Sequence, residues 1–234
     1  MKSEPAAGRL KATVIIPTLN EIDGMRAVLH KIDRRWVDQV IIADGGSTDG
    51  TVQYCEQNNA TVYVQKKRGY GSAIREALEI ATGDIIIEFT GDGSSLTEKI
   101  PDLIAKINEG CDLVLASRYR DGAVSYDDDA LTGIGNWLFT TLTNLMFHAS
   151  LTDVLVGYRA YRKSSLAALR MDAPGLEWVS QSTIRFVKGG FKVEEIGADE
   201  PKRIGGKRKM IPFSTGWAIL KLMFREYTMK AGTP

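Results

Sequence analysis

Residues 83–95 read GDIIIEFTGDGSS. Three isoleucines and Phe89 make a run that is apolar on both faces, the pattern of a central parallel strand and not of a half-exposed antiparallel one. This strand, Asp84 to Phe89, runs straight into a tight turn where Gly91 and Gly93 supply backbone freedom and Asp92 stands between them. The turn's geometry does not require that carboxylate. Asp92 is therefore a candidate functional acid.

On either side of this stretch the same alternation repeats. ATVIIP (12–17), QVIIAD (39–44), TVYVQ (61–65) and DLVLAS (112–117) read as strands. Between them, Met25, Val28, Leu29 and Ile32 fall on one helical face, Ser72 is read as capping a helix carrying Ala73, Ala77 and Ile80, and Ile100, Leu103, Ile104 and Ile107 mark another. Such alternation predicts one α/β domain, a mostly parallel sheet covered by helices on both faces, with ligands at the carboxyl ends of the strands. The residues just after the strands are Pro17, Asn20 and Glu21; Asp44 with GGSTDG; KKRGYGS; TGDGSS; and SRYRDG. A carboxylate at such an edge can accept from a base or ribose, and glycine-exposed N–H groups can approach phosphate. Lys67, Arg68, Gly69 and Gly71 ahead of a helix suggest a diphosphate cradle, although neither the triphosphatase nor the dinucleotide glycine pattern is present. A diphosphate brings a divalent cation that needs only one or two protein carboxylates, a role that suits Asp92.

The chain's 234 residues, 44% hydrophobic, suffice for one sizeable core. Cys55 and Cys111 are too few for a disulfide framework and read as buried apolar residues, pointing to a reducing cytoplasmic setting. The two histidines, His30 and His148, lack partner ligands. Net charge is +1 but unevenly spread: residues 201–234 hold eight basic residues against one acid, leaving the first 200 at −6. A cationic end implies an anionic partner. Asp127, Asp128 and Asp129 read as a solvated loop, and nucleic acid is not expected because the basic cluster lacks stacking aromatics.

Six motifs in order, VIIPTLNE (14–21), IIADGGSTDGT (41–51), RGYGSAIREAL (68–78), GDIIIEFTGDGSS (83–95), ASRYRDG (116–122) and LTDVLVGYRAYRK (151–163), resemble the inverting family 2 glycosyltransferases of the Rossmann-like GT-A fold. Within that fold they look like the dolichyl- or polyprenyl-phosphate mannosyl- and glucosyltransferases. The resemblance spans roughly residues 11–212 and implies a GT-A domain over residues 1–212, followed by an amphipathic helix over 213–234 packed on it or continuous with it. It implies a donor such as GDP-mannose, UDP-glucose or UDP-N-acetylhexosamine, Mg²⁺ or Mn²⁺, and a polyprenyl or dolichyl phosphate acceptor. By position, Pro17, Asn20, Glu21, Asp44, Lys67, Gly69 and Gly71 would bind the nucleotide. Asp92 would hold the metal and, with Arg118 and Arg159, act in catalysis. Arg118, Arg159, Arg162, Arg203 and Lys207 would face the acceptor. The sequence departs from the family at Leu19, Gly45 and Thr90, which replace an aromatic residue and two acids. A phosphate acceptor is already anionic and needs no strong base, whereas a hydroxyl acceptor would call on Asp153 or Glu177.

Residues 130–152 carry no charge but are interrupted by Thr, Asn, Gly and Ser, favouring a helix in the headgroup plane over a spanning one. After the RIGGKRK cluster, Trp217, Leu220, Phe224 and Tyr227 recur at helical spacing. The sequence thus reads as a peripheral enzyme on the cytoplasmic face of a membrane. The alternatives are a transferase with a small phosphorylated or hydroxyl acceptor and a non-catalytic nucleotide-sugar sensor.

Overall fold

A computed structural model describes residues 9–206 and 210–229. Among these, seven strands form one sheet: β1 (Ala12–Thr18), β2 (Gln39–Asp44), β3 (Thr61–Val64), β4 (Ile85–Glu88), β5 (Leu113–Ser117), β6 (Arg159–Arg162) and β7 (Val193–Gly197), in the order β3-β2-β1-β4-β6-β5-β7. β1 lies parallel to β2 and β4, and β5 parallel to β7. Successive side chains of a strand point to opposite faces, yet Val14, Ile15 and Ile16 are all fully buried, so both faces of the sheet are covered. The covering elements are α1 (Ile22–Val28), α2 (Thr51–Gln57), α3 (Tyr70–Ile80), α4 (Ile100–Asn108), α5 (Ala130–Phe147), α6 (Lys163–Ala167), α7 (Trp178–Lys188) and α8 (Pro212–Thr228). α3 begins at Tyr70, which places Ser72 inside the first turn and not at the cap.

The exception to parallel order positions the site. β6 runs antiparallel to both β4 and β5. Its first residue, Arg159, therefore sits opposite Glu88 at the carboxyl end of β4, while Arg162 sits opposite Ile85 at the start of that strand. Three residues of extended chain carry the two arginines about 10 Å apart toward opposite edges.

α8 is anchored to α7 through charge as well as apolar contact. Ile219, Leu222 and Met223 are buried, and the Glu226 carboxylate accepts from Arg185 at 2.8 Å and Gln181 at 3.2 Å. Asp172, ahead of α7, pairs with Arg225 at 2.8 Å. Burial works against the Glu226 charge, but the bonds from Arg185 and Gln181 outweigh it and hold this carboxyl below the ordinary glutamate value of 4.5. A depressed carboxylate contributes its full stability above its unfolded value and loses it as pH falls through the folded one. Glu226→Gln is thus expected to flatten the part of the acid-unfolding curve that begins below about pH 4.5, read by circular dichroism against urea at stepped pH.

α5 is capped by Asp129, whose side chain accepts from the Thr132 N–H at 2.8 Å. α5 and α8 pack together, and both leave large apolar side chains in solvent, among them Ile134, Trp137 and Leu145 on α5 and Phe213, Trp217 and Phe224 on α8. Among the described residues no helix is long and apolar enough to cross a membrane.

Candidate active site

At the carboxyl edge, where β1, β4 and β5 end, lies a cavity of about 350 Å³. Pro17 and Glu21 line it from the turn after β1, Thr90, Gly91, Asp92 and Ser94 from the turn after β4, and Arg118 from the end of β5. Its other side is apolar: Leu131 and Phe139 of α5, Leu155, Val179 of α7, and Pro212 and Ile219 of α8. The cavity therefore joins a charged wall to an oily one.

Asp92 uses its two oxygens differently. Oδ1 accepts from the Ser94 N–H at 3.0 Å and the Ser94 hydroxyl at 2.8 Å, fixing the turn. Oδ2 faces the Arg203 guanidinium at 3.0 Å. Thr90 turns its hydroxyl to Ser95 at 2.5 Å. No group of three or more His, Cys, Asp or Glu side chains converges on a metal position among the described residues. One carboxylate oxygen already facing a cation, with a hydroxyl residue two positions away on the same wall, fits a hard ion that draws its remaining ligands from phosphate and water.

The arginines expected at the acceptor separate into three kinds. Arg118 does line the cavity, but it is ringed by carboxylates: Asp153 at 2.7 Å, Asp128 at 3.2 Å and Glu200 at 3.3 Å. Burial opposes its charge, yet Asp153, Glu200 and Asp128 more than compensate and keep it a cation. Burial also pushes the Glu200 carboxyl up, against the pull of Arg118. Asp153 is held by this clamp and is fully buried, so it is not poised as a base. Arg159 is 0% exposed and does not face the cavity: it donates to the Val156 and Val179 carbonyls and, at 2.9 and 3.0 Å, to the Ser182 and Thr183 hydroxyls. Across the strand pair, burial pushes the Glu88 carboxyl upward against the opposing pull of the Arg159 charge, and Glu88 accepts from Trp178 at 2.7 Å and Tyr70 at 3.2 Å. Arg162 lies at the amino edge, bonded to the Ile107 carbonyl at 2.5 Å, because β6 is reversed. The expectation that Arg159 and Arg162 meet acceptor is corrected accordingly.

On the nucleotide side, Pro17 and Glu21 line the cavity, and the others shape the loops around it. Asp44 is fully buried; its carboxylate accepts from the Gly46 and Ser47 N–H groups at 2.8 Å each, from Thr18 at 3.2 Å and from the Ser47 hydroxyl. Asn20, with φ of 54°, accepts from the Thr48 N–H at 2.8 Å and so ties the first loop to the second. Gly69, at φ of 117°, and Gly71 are needed for close approach, since a Cβ on either would collide with the carbonyl of Pro174 or Ala173. The Gly71 and Ser72 N–H groups donate to Gly175 and Pro174, so the expected diphosphate cradle is filled by the chain itself. Lys67 is exposed and outside the cavity lining, and Lys207 lies outside the described residues.

The sequence reading missed Asp127, Asp128 and Glu200, all on the cavity wall. Asp128 accepts from the Tyr119 hydroxyl at 2.5 Å, and Asp127 pairs with Arg203 at 3.5 Å. Recognising Asp129 as a helix cap would have placed its two neighbours at the mouth of the site instead of in a solvated loop.

Comparison with known proteins agrees with this geometry. The chain is 29% identical over 227 residues to an undecaprenyl-phosphate mannosyltransferase of Micrococcus luteus, covering 91% of this chain and 93% of that one. It is 29% identical over 210 residues to a dolichyl-phosphate hexose transferase of Haloferax volcanii, covering 89% and 90%. Its fold superposes with a TM-score of 0.72, at 21% identity, on glucosyl-3-phosphoglycerate synthase of Mycobacterium tuberculosis solved with Mn²⁺, UDP and glucosyl-3-phosphoglycerate, covering 96% of this chain and 81% of that chain. The model for "Glycosyl transferase family 2" matches residues 13–170, the span that holds β1 to β6 and the Asp92 turn. With sheet order, acid turn and family match in agreement, the chain belongs to glycosyl transferase family 2 and is a glycosyltransferase of GT-A fold.

Proposed function

We propose that this transferase moves a hexose, with inversion, from a nucleoside-diphosphate sugar such as GDP-mannose, UDP-glucose or UDP-N-acetylhexosamine to a polyprenyl or dolichyl phosphate, working peripherally on the cytoplasmic face of a membrane. The observation that carries this reading is the two-sided cavity, in which the Asp92 turn faces an apolar gap between α5 and α8. The activities for which the Micrococcus and Haloferax relatives are named support the acceptor class.

An acceptor phosphate oxygen attacks the anomeric carbon from the face opposite the leaving group, the bond from that carbon to the nucleoside diphosphate breaks, and configuration inverts. A phosphate monoester is ionised at neutral pH, so the step asks for alignment and charge neutralisation more than for a base. Asp92, with Thr90 beside it, would hold Mg²⁺ or Mn²⁺, which would supply positive charge for the departing diphosphate. Pro17 and Glu21 wall the nucleotide side, Arg118 keeps Asp128, Asp153 and Glu200 in place, and Arg203 lines the cavity with its guanidinium 3.0 Å from Asp92.

The exposed aromatics of α8 and the five basic residues from Lys202 to Lys209 fit an anionic bilayer surface. Flotation with anionic vesicles at low and high salt tests this. Trp217→Ser and Phe224→Ser are each expected to weaken vesicle binding about tenfold and to raise KM for lipid-linked acceptor, with hydrolysis of the donor in water unchanged. Absence of flotation at every salt concentration, together with transfer to a small soluble phosphate ester, would replace the lipid acceptor by a soluble one.

A further inference from the structure

α5 supplies much of the oily wall of the cavity, yet one of its side chains there is a carboxamide. Asn136 lines the cavity together with Leu131 and Phe139 of the same helix and Ile219 of α8, and it is 2% exposed. Its Oδ1 is buried and accepts from no donor. The hydroxyls one helical turn away on either side are engaged elsewhere: Thr132 donates to Asp129 at 2.6 Å, and Thr140 accepts from the Val154 N–H at 3.3 Å. Gly135, the preceding residue, is also on the cavity wall, and an added Cβ there would meet nothing within 4 Å. Glycine inside a helix weakens it, and packing does not demand one at this position; the missing side chain leaves room beside the amide. A buried acceptor without a donor costs stability that an apolar side chain of the same size would not. Its partner is therefore to be sought outside the chain, among the molecules that enter the cavity.

We infer that Asn136 reads the hexose of the donor, its Oδ1 accepting from one ring hydroxyl while its N–H groups donate to a neighbouring one. The inference rests on the nucleotide-sugar donor proposed above. A polyprenyl chain has neither a donor nor an acceptor to offer an amide. An ionised phosphate oxygen only accepts, so it would leave Oδ1 as it stands. The nucleotide is assigned to the opposite wall, at Pro17 and Glu21. A hexose carries hydroxyls on adjacent carbons that both donate and accept, which is what the two ends of a carboxamide require. It is also the part of the donor that follows the diphosphate, on the way from the Asp92 turn to the wall that α5 provides. A site that meets a hydroxyl in this way disfavours a sugar lacking it, because the buried amide is then left unpaired.

The test compares the whole protein with Asn136→Leu, which keeps the volume, and Asn136→Ala, which adds no bulk to the cavity. Calorimetric titration with Mn²⁺ present gives Kd for UDP-glucose, UDP-N-acetylglucosamine and GDP-mannose, and for UDP and GDP alone. For whichever nucleotide sugar the native protein binds, Kd is expected to rise about tenfold in both variants, with Kd for the parent nucleotide unchanged. Without nucleotide, Asn136→Leu is expected to melt about 2–4 °C higher than the native protein, since it removes a polar atom that nothing in the chain satisfies. Unchanged donor affinity in both variants overturns the inference, as does an equal loss for nucleotide sugar and bare nucleotide. Native donor affinity combined with a raised KM for polyprenyl phosphate would assign Asn136 to the acceptor instead. A lower melting temperature in both variants would show that the chain itself partners the amide. In each of these cases the nucleotide-sugar reading survives; failure of the native protein to bind any sugar of the panel removes that reading and the role of Asn136 together.

Discussion

Asp92→Ala is expected to lower sugar transfer by about 10²–10³-fold while the protein stays folded. The side chain is 14% exposed and its structural contribution is the pair of bonds to Ser94 and a partly exposed ion pair with Arg203. Losing those bonds costs about 1 kcal/mol, a small part of domain stability. On the proposed role of Asp92, what disappears is the negative charge that would hold a divalent ion against the leaving diphosphate. Asp92→Asn separates the two roles, because the amide oxygen can still accept from Ser94 but no longer attracts a divalent ion. Transfer of labelled sugar at saturating donor, together with Mn²⁺-dependent thermal shift in the presence of nucleotide, reads both quantities. Full transfer rates in both variants would remove Asp92 from the chemistry.

The second large effect is on stability. Arg159→Met is expected to destabilise the fold by about 3–5 kcal/mol, because it strips donors from the buried Val156 and Val179 carbonyls and leaves the Ser182 and Thr183 hydroxyls without their guanidinium partner. For a chain of this size each kcal/mol moves Tm by about 2–4 °C, so the loss is visible in a simple melt. Molecules that remain folded should keep KM for acceptor near the native value. A raised KM with an unchanged melting curve would instead return Arg159 to the acceptor site.

The contrast between these two residues shows what could be read from the chain. The β-α alternation up to β5 was legible because each strand there is a run of Val and Ile between turn residues, and Asp92 stood out because the turn did not need it. β6 and β7 were not legible. RAYR and VEEIG are short and half charged, with no hydrophobic period to mark them. Strand direction is a tertiary property, and without the reversal of β6 a motif with two arginines reads as a cationic cluster when its members in fact point to opposite ends of the sheet. Gly69 and Gly71 misled for a related reason: glycine reports close approach, and only packing reveals that the approaching group is the Pro174 carbonyl and not a phosphate. The same holds for Asp44, whose acceptor capacity is spent on its own loop. The Arg203–Asp92 pair could not be foreseen because its members are 111 positions apart in the chain and nothing local links them.

The balance of charge around the cavity has a further consequence. Among its described lining residues five are acids and two are arginines, so the doorway is electronegative. For the donor, such a doorway favours a nucleotide that arrives already wrapped in a divalent counter-ion over a bare one. Selection among nucleotides would then begin with the company the anion keeps, before any sugar or base is inspected.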